Sequence, residues 1–397
     1  MTFSTLDTVP SDSILGLMAE FQADPAGDKV DLTVGVYRDD CGRTPVMTAV
    51  ARAEEAIVRE QASKAYLPVL GPGEFLEPMR ALIAGPTLSA IESRLGIALT
   101  PGGCGALRVG AELFGLAQPG KSAYVSSPTW PNHYNLISGA GVPIETHPYY
   151  DPVQHHLEMQ AMADCLERAP AGSLVVLQAA CHNPTGADPG PPEWRAILDI
   201  LGRRSLVPFF DMAYQGMGVD PDEDAAFVRA ALAELPEVLV AASCSKNFGL
   251  YRERTGALLW LTENAAACRA VASQVGQITR RSYSMPPAHG GLIVGRVLAD
   301  PKLREAWRRE VAAMAVRLRH ARRGLAAALA RARPDLDCSW IEAQRGMFSL
   351  LGIDAEAVQR LREEHHIYIV GDSRINLAGL NDENTQLVAE AIAPLMR

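Results

Sequence analysis

One lysine stands apart in the middle of this chain. Of 37 basic residues only five are lysine, and Lys246 is the only lysine between Lys121 and Lys302. It lies in SCSKNFGLYRER, with Ser243 and Ser245 before it and Arg254 beyond it, directly behind the apolar run EVLVAASC. An amine held out of water at a strand end has a lowered pKa and can add to a carbonyl or abstract a proton. A solvated surface lysine is the commoner case, but neighbours of this kind argue against it here. Ser243-x-x-Lys246 also matches the S-x-x-K of serine acyl-enzymes; the S-D-N and K-T-G that accompany it there are missing.

Other unusual polar residues follow apolar runs in the same way. TPGGCGALR places Gly103 and Cys104 ahead of a helical pattern, which reads either as a tight turn or as backbone N–H groups open to an anion at a helix N-terminus. Trp130 sits between two prolines after AYVSS, as a core plug or as a flat face for an aromatic ligand. Asn183 follows SLVVLQAA, and Asp211 ends LVPFFD with Tyr214 just beyond. An aspartate there is a helix cap or, beside a cationic ring nitrogen, a charge-assisted acceptor. In DSRINLAG, Arg374 is either a surface residue or a bidentate clamp for a carboxylate.

Positioning these groups requires a particular architecture. From about Leu99 to Leu261, short apolar runs alternate with helical stretches, the pattern of a mainly parallel sheet covered on both faces by helices. In such sheets ligands sit beyond the carboxyl ends of the strands. Before this region, an amphipathic segment follows the cap candidates Ser11 and Asp12 and puts Ile14, Leu15, Leu17, Met18 and Phe21 on one side. DLTVGVYRDD reads as extended, and Pro45 as opening a helix with Val46, Val50, Ala53 and Ile57 in register. After Leu261 helices dominate, with a long connecting helix expected over 301–331; MFSLLGI and IYIVG read as strands around a helix starting near Asp354, and a last helix starts near Asn381 and Asp382. The expected fold is α/β, with a large domain over 46–300, a smaller α+β domain with its connecting helix over 301–397, and an arm over 1–45 that contributes to the smaller domain.

Composition excludes other classes. A net charge of −9 and no basic tail argue against nucleic acid. No stretch approaches the roughly 18 apolar residues of a membrane span, and the beginning of the chain shows no signal-peptide pattern. The seven scattered cysteines form no C-x-x-C pair, so neither a disulfide framework nor a metal site is expected, and a cytoplasmic protein is.

In order and spacing, SILGL, GVYRDD, TPGGCGALR, PTWPNH, CHNPTG, DMAYQG, SKNFGLYRER, YSMPPAHG and DSRINLAG resemble the aspartate/aromatic group of class I, fold type I aminotransferases dependent on pyridoxal 5'-phosphate (PLP). The resemblance spans nearly the whole chain. It implies a large PLP-binding domain, a ping-pong Schiff-base mechanism, and a homodimer with shared active sites. Lys246 would carry the cofactor and shuttle the proton, Asp211 would pair with the pyridine nitrogen with His133 behind it, and Tyr214 and Asn183 would contact the phenolic oxygen. Trp130 would stack on the ring. Gly103, Cys104, Ser243, Ser245 and Arg254 would hold the phosphate, with Tyr66 reaching in from the partner. Arg374 would bind the substrate α-carboxylate near Gly35, Trp130 and Asn183, and Arg280 of the partner the distal carboxylate.

The departures from the family pattern bear on specificity. Cys104 stands where a hydroxyl residue is usual, and a thiol is a weaker donor. Met285 and Ala65 replace positions that are often polar and make the pocket mouth more adaptable. With Arg280 kept, the expectation is an enzyme for tyrosine and phenylalanine as well as aspartate and glutamate, with 2-oxoglutarate as acceptor. A strict aspartate aminotransferase, a PLP lyase or decarboxylase on the same scaffold, and a non-enzymatic PLP-binding regulator are the alternatives. The regulator predicts loss of Lys246, Asp211 or Arg374, and all three are present.

Overall fold

The computed structural model describes residues 2–8 and 13–396. At its centre are seven strands: β1 (Leu95–Pro101), β2 (Ala123–Ser127), β3 (Ile144–Pro148), β4 (Leu174–Gln178), β5 (Val207–Met212), β6 (Val238–Ser243) and β7 (Thr255–Leu261). They lie in the order β1-β7-β6-β5-β4-β2-β3. Only β7 runs against the rest, pairing antiparallel with both β1 and β6. Every residue of β4, β6 and β7 is buried. Sheet strands covered on both faces read as continuous apolar runs, which is why these segments stood out in the sequence.

Helix α1 (Gly102–Ala117) starts directly at the end of β1. Helix α2 (Pro301–Ala332) begins with the Asp300 carboxylate accepting from the amides of Lys302 (2.8 Å) and Leu303 (3.1 Å), and with Pro301 at its first position. Its first half buries Trp307, Val311, Met314 and Leu318 in the apolar cluster on the sheet. Its second half buries Leu325, Ala328 and Leu329 in another cluster, with Val30, Leu32, Ile341, Leu361, Ile367, Ile375 and Val388. One helix thus has a hydrophobic stripe that serves two cores in succession.

Several sequence expectations change in detail. The helix expected at Pro45 spans Thr48–Glu60; Val46 is exposed, while Val50, Ala53 and Ile57 face the core. Edge strand β3 has a single buried residue, His147, and no strong apolar run, and the sequence pattern does not reveal it. Of DLTVGVYRDD, only Asp31 is in a strand, the pair Val30–Asp31, which runs parallel to Ile367–Tyr368. MFSLLGI contributes Phe348–Leu350, which pairs antiparallel with Arg374–Asn376. The helix after Asp354 spans Ala355–His365, and the Asp354 side chain caps it. The amphipathic segment is the helix Ser13–Ala23, with Leu17, Met18 and Phe21 half-buried. The cap candidates Ser11 and Asp12 and the side chains of Ile14 and Leu15 lie outside the described residues.

Candidate active site

Beyond the carboxyl ends of the parallel strands lies a cavity of about 300 Å³. Its walls include Gly103 and Cys104 after β1, Trp130 after β2, Asn183 after β4, Asp211 and Tyr214 at β5, and Ser243, Ser245 and Lys246 at β6. Arg254 joins them because β7 is antiparallel: its first residue, Thr255, pairs with Pro101 at the end of β1, so the residue before it falls among the carboxyl ends of the others. Gly35 and Val34 from the N-terminal segment, and Phe348 and Arg374 from the C-terminal part, close the far wall.

Lys246 is half-buried, its amine facing the cavity 5.2 Å from the centroid of the Tyr214 ring. The surrounding protein pulls this amine below the ordinary lysine pKa, because burial disfavours the charged form. Asp211 and then Cys104 oppose that shift, whereas the positive charges of Arg254 and Arg374 add to it. Burial also pushes the Tyr214 hydroxyl well above its usual value, so it stays protonated.

Asp211 is buried, and its Oδ2 lies 3.1 Å from His133 Nε2. The other ring nitrogen of His133 is 2.8 Å from Thr129 Oγ1, and Trp130 meets the imidazole edge-on with centroids 5.4 Å apart. A carboxylate held in this way has one oxygen committed to the protein and the other free to face the cavity.

Two arginines bring positive charge to different walls of the cavity. Arg254 donates to the Tyr251 carbonyl (2.9 Å) and reaches Ser245 Oγ (3.5 Å). Gly102 has φ +70°, and a Cβ there would lie 2.6 Å from Arg254 Nη2, so only glycine leaves room for this guanidinium beside the start of α1. Arg374 donates to Asn183 Oδ1 (3.1 Å) and to the Thr33 carbonyl (2.8 Å), and its guanidinium sits 4.5 Å from the centroid of the Phe348 ring. Its buried Nε has no partner among the described residues. Burial lowers its pKa, opposed by Asp372 and Tyr214.

The model of the family described as "Aminotransferase class I and II" matches residues 27–392. The chain belongs to this aminotransferase family. It is similar to the aromatic-amino-acid aminotransferase of Pseudomonas aeruginosa, with 42% identity over 98% of each chain. It is similar also to the aspartate aminotransferase of Salmonella typhi, with 38% identity over 99% of this chain and 100% of that one. Among solved structures, the aromatic-amino-acid aminotransferase from Burkholderia pseudomallei, covalently bound to pyridoxal phosphate, matches with a TM-score of 0.97 and 41% identity across 100% of both chains.

Two residues expected in the site of this aminotransferase are not brought there by a single chain. Tyr66 is 92% exposed, and Arg280 is exposed near the end of the helix Ala265–Ser282, hydrogen-bonded to Ser284. Neither Ala65 nor Met285 lines the cavity. Conversely, several contributors went unnoticed in the sequence. Gln178 clamps Asn183 through its backbone in both directions, each bond 2.8 Å. A polar residue closing a buried apolar run was its available signal. Arg322 of α2 is buried and donates to the carbonyls of Arg345 (2.8 Å), Gly346 (3.0 Å) and Phe348 (2.5 Å), fastening the strand under Arg374. Nothing in its Arg-rich neighbourhood marked it out.

Proposed function

We propose that this aminotransferase uses pyridoxal 5'-phosphate to move amino groups from tyrosine, phenylalanine, aspartate or glutamate to 2-oxoglutarate or a related 2-oxo acid. The observation that carries the reading is a cavity-facing lysine of lowered pKa in the same cavity as a histidine-backed carboxylate, an end lined by Arg254 and two serines, and a separate buried arginine. The cofactor fits these groups. Its phosphate would meet Arg254, Ser243, Ser245 and the amides of Gly103 and Cys104 at the start of α1, where the helix dipole favours an anion. Its protonated ring nitrogen would meet Asp211, its ring the indole of Trp130, and its phenolic oxygen Tyr214 and Asn183.

When bound, PLP supplies an electron sink that makes the Cα–H of an attached amino acid acidic. The chain supplies the rest. The Lys246 amine would hold the cofactor and, once freed by an incoming amine, would accept the Cα proton and return it to the cofactor's aldehyde carbon. Asp211, fixed by His133, would keep the cofactor's ring nitrogen charged. The Arg374 guanidinium, preset by Asn183 and Thr33, grips the α-carboxylate in a forked geometry beside Gly35.

Exposure of Tyr66 and Arg280 on the single chain supports a homodimer in which each copy lends them to the other's site. Arg280 would grip a distal carboxylate and swing aside for an aromatic ring. The reading includes a smaller domain over 301–397, with help from 1–45, that closes over the large one at 46–300. The two apolar clusters along α2 support it. Seven free thiols fit a cytoplasmic setting; among the described residues no helix is long and apolar enough to cross a membrane. The test is kcat/KM for aspartate and for phenylalanine, measured in parallel with 2-oxoglutarate. Both donors are expected to react, and a phenylalanine value more than about 1,000-fold below that for aspartate would overturn the dual specificity.

A further inference from the structure

Tyr251 lines no part of the cavity, yet it touches two segments that do. Its carbonyl oxygen accepts the 2.9 Å hydrogen bond from Arg254 Nη1 at the anion end. Its hydroxyl accepts a 2.8 Å hydrogen bond from the amide of Tyr37, at the foot of the segment that carries Val34 and Gly35 over the far end. Burial of that hydroxyl raises its pKa to about 12, so it stays neutral in this role.

The rest of the 33–37 strap is tied to the C-terminal part of the chain. Arg374 donates to Thr33 O (2.8 Å), and the Asn376 side chain donates to the carbonyls of Val34 (2.5 Å) and Val36 (2.9 Å). A Cβ on Gly35 would lie 2.9 Å from the Phe348 ring, so the strap and that ring are in close contact. Thr44 holds the Tyr37 carbonyl (3.0 Å), and Arg317 lies 5.7 Å from the Tyr37 ring centroid. Of these ties, the one from Tyr251 comes from the β6–β7 connection, the same connection that bears Lys246 and Arg254.

We infer that Tyr251 is a positioning residue that couples seating of an anion at Arg254 to closure of the 33–37 strap over the substrate end of the cavity. An anion that immobilises Arg254 also immobilises the carbonyl bonded to it. The side chain of the same residue then presents a fixed acceptor to Tyr37. The inference rests on the reading of the cavity as a PLP site, and it assigns to the cofactor phosphate a second effect, organisation of the substrate-binding wall.

The experiment compares hydrogen exchange of the 33–44 segment in the PLP-loaded and stripped protein, for the unaltered chain and for Tyr251→Phe. Slower exchange on loading in the unaltered chain is expected, with the difference lost in Tyr251→Phe. In that variant KM for aspartate and for phenylalanine should both rise about 3- to 10-fold, the size of one lost hydrogen bond, with kcat little changed and the near-visible cofactor band retained. Equal exchange of 33–44 in loaded and stripped unaltered protein overturns the coupling, and this arm stands even if the variant fails to fold. An unchanged KM in the variant, or a loss of protection spread evenly over the molecule, overturns it as well. Absence of the cofactor band from the unaltered protein overturns the PLP reading and this inference together; its presence with equal exchange overturns this inference alone.

Discussion

The two ends of the cavity are built differently. At the proposed cofactor end, the groups that a single chain supplies sit at or just beyond the strand termini of one sheet: Asp211 in β5, Ser243 and Lys246 at the end of β6, Arg254 just before the antiparallel β7, with Tyr66 expected at the phosphate from a second copy. At the proposed substrate end, Gly35 and Arg374 come from opposite ends of the sequence, joined through the Arg374–Thr33 bond, while Arg280 remains on the surface of the single chain. The difference separates chemistry from selection. Groups that set pKa values and hold charge need a rigid, buried frame. Groups proposed to sort substrates come from distant parts of the chain and, for Arg280 on the proposed reading, from a second copy.

The largest expected effect tests the rigid end. Lys246→Ala should lower transamination by more than about 10⁴-fold, the upper range for a lost acid–base group, and abolish the cofactor band that shifts with pH; a retained band would remove Lys246 from its role. Next comes the selecting end. Arg280→Ala should cost aspartate about 100-fold in kcat/KM and phenylalanine less than about 10-fold, because only the dicarboxylate leaves a charge unpaired. Equal losses would place Arg280 outside the pocket and erase the contrast between the two ends.

A pH profile sharpens the contrast from the other side. Burial holds the Lys246 amine below its ordinary 10.5, and only the neutral amine adds to a carbonyl. PLP uptake by the stripped protein should therefore climb with pH and level off before 10.5, the pH at which an unperturbed lysine would still be climbing. Continued rise through that value would show that the Asp211 charge outweighs desolvation. The smallest effect concerns the anion end: Cys104→Ser replaces a weak donor by a hydroxyl and should tighten PLP binding about 2- to 5-fold, read by equilibrium titration of the stripped protein. Weaker binding in that variant would mean that the thiol packs there and does not act as a donor.

Much of the cofactor end was legible in the sequence because buried parallel strands leave continuous apolar runs, and the polar residue that ends each run has few reasons to be there. Asp211 after VPFF and Lys246 after VLVAAS are visible for that reason. Edge strand β3 was not, since only one of its five residues is buried and no apolar run survives. Gln178 was partly legible, as a polar residue closing a buried run. Arg322 and Tyr251 were not legible at all: one is an arginine among many on a long helix, the other an aromatic in a loop, and their partners are distant in sequence.

The sequence by itself determined the chemistry available: one mid-chain lysine, an aspartate at a strand end, arginines in place of other lysines, and the family whose motif order they follow. Only the tertiary structure decided which of them meet. The antiparallel course of β7 turns Arg254 toward the carboxyl ends of its neighbours, and the pairing of Val30–Asp31 with Ile367–Tyr368 brings the first and last parts of the chain together beside Arg374. Strand direction and pairing between distant segments depend on how whole faces pack, and no local residue pattern encodes that.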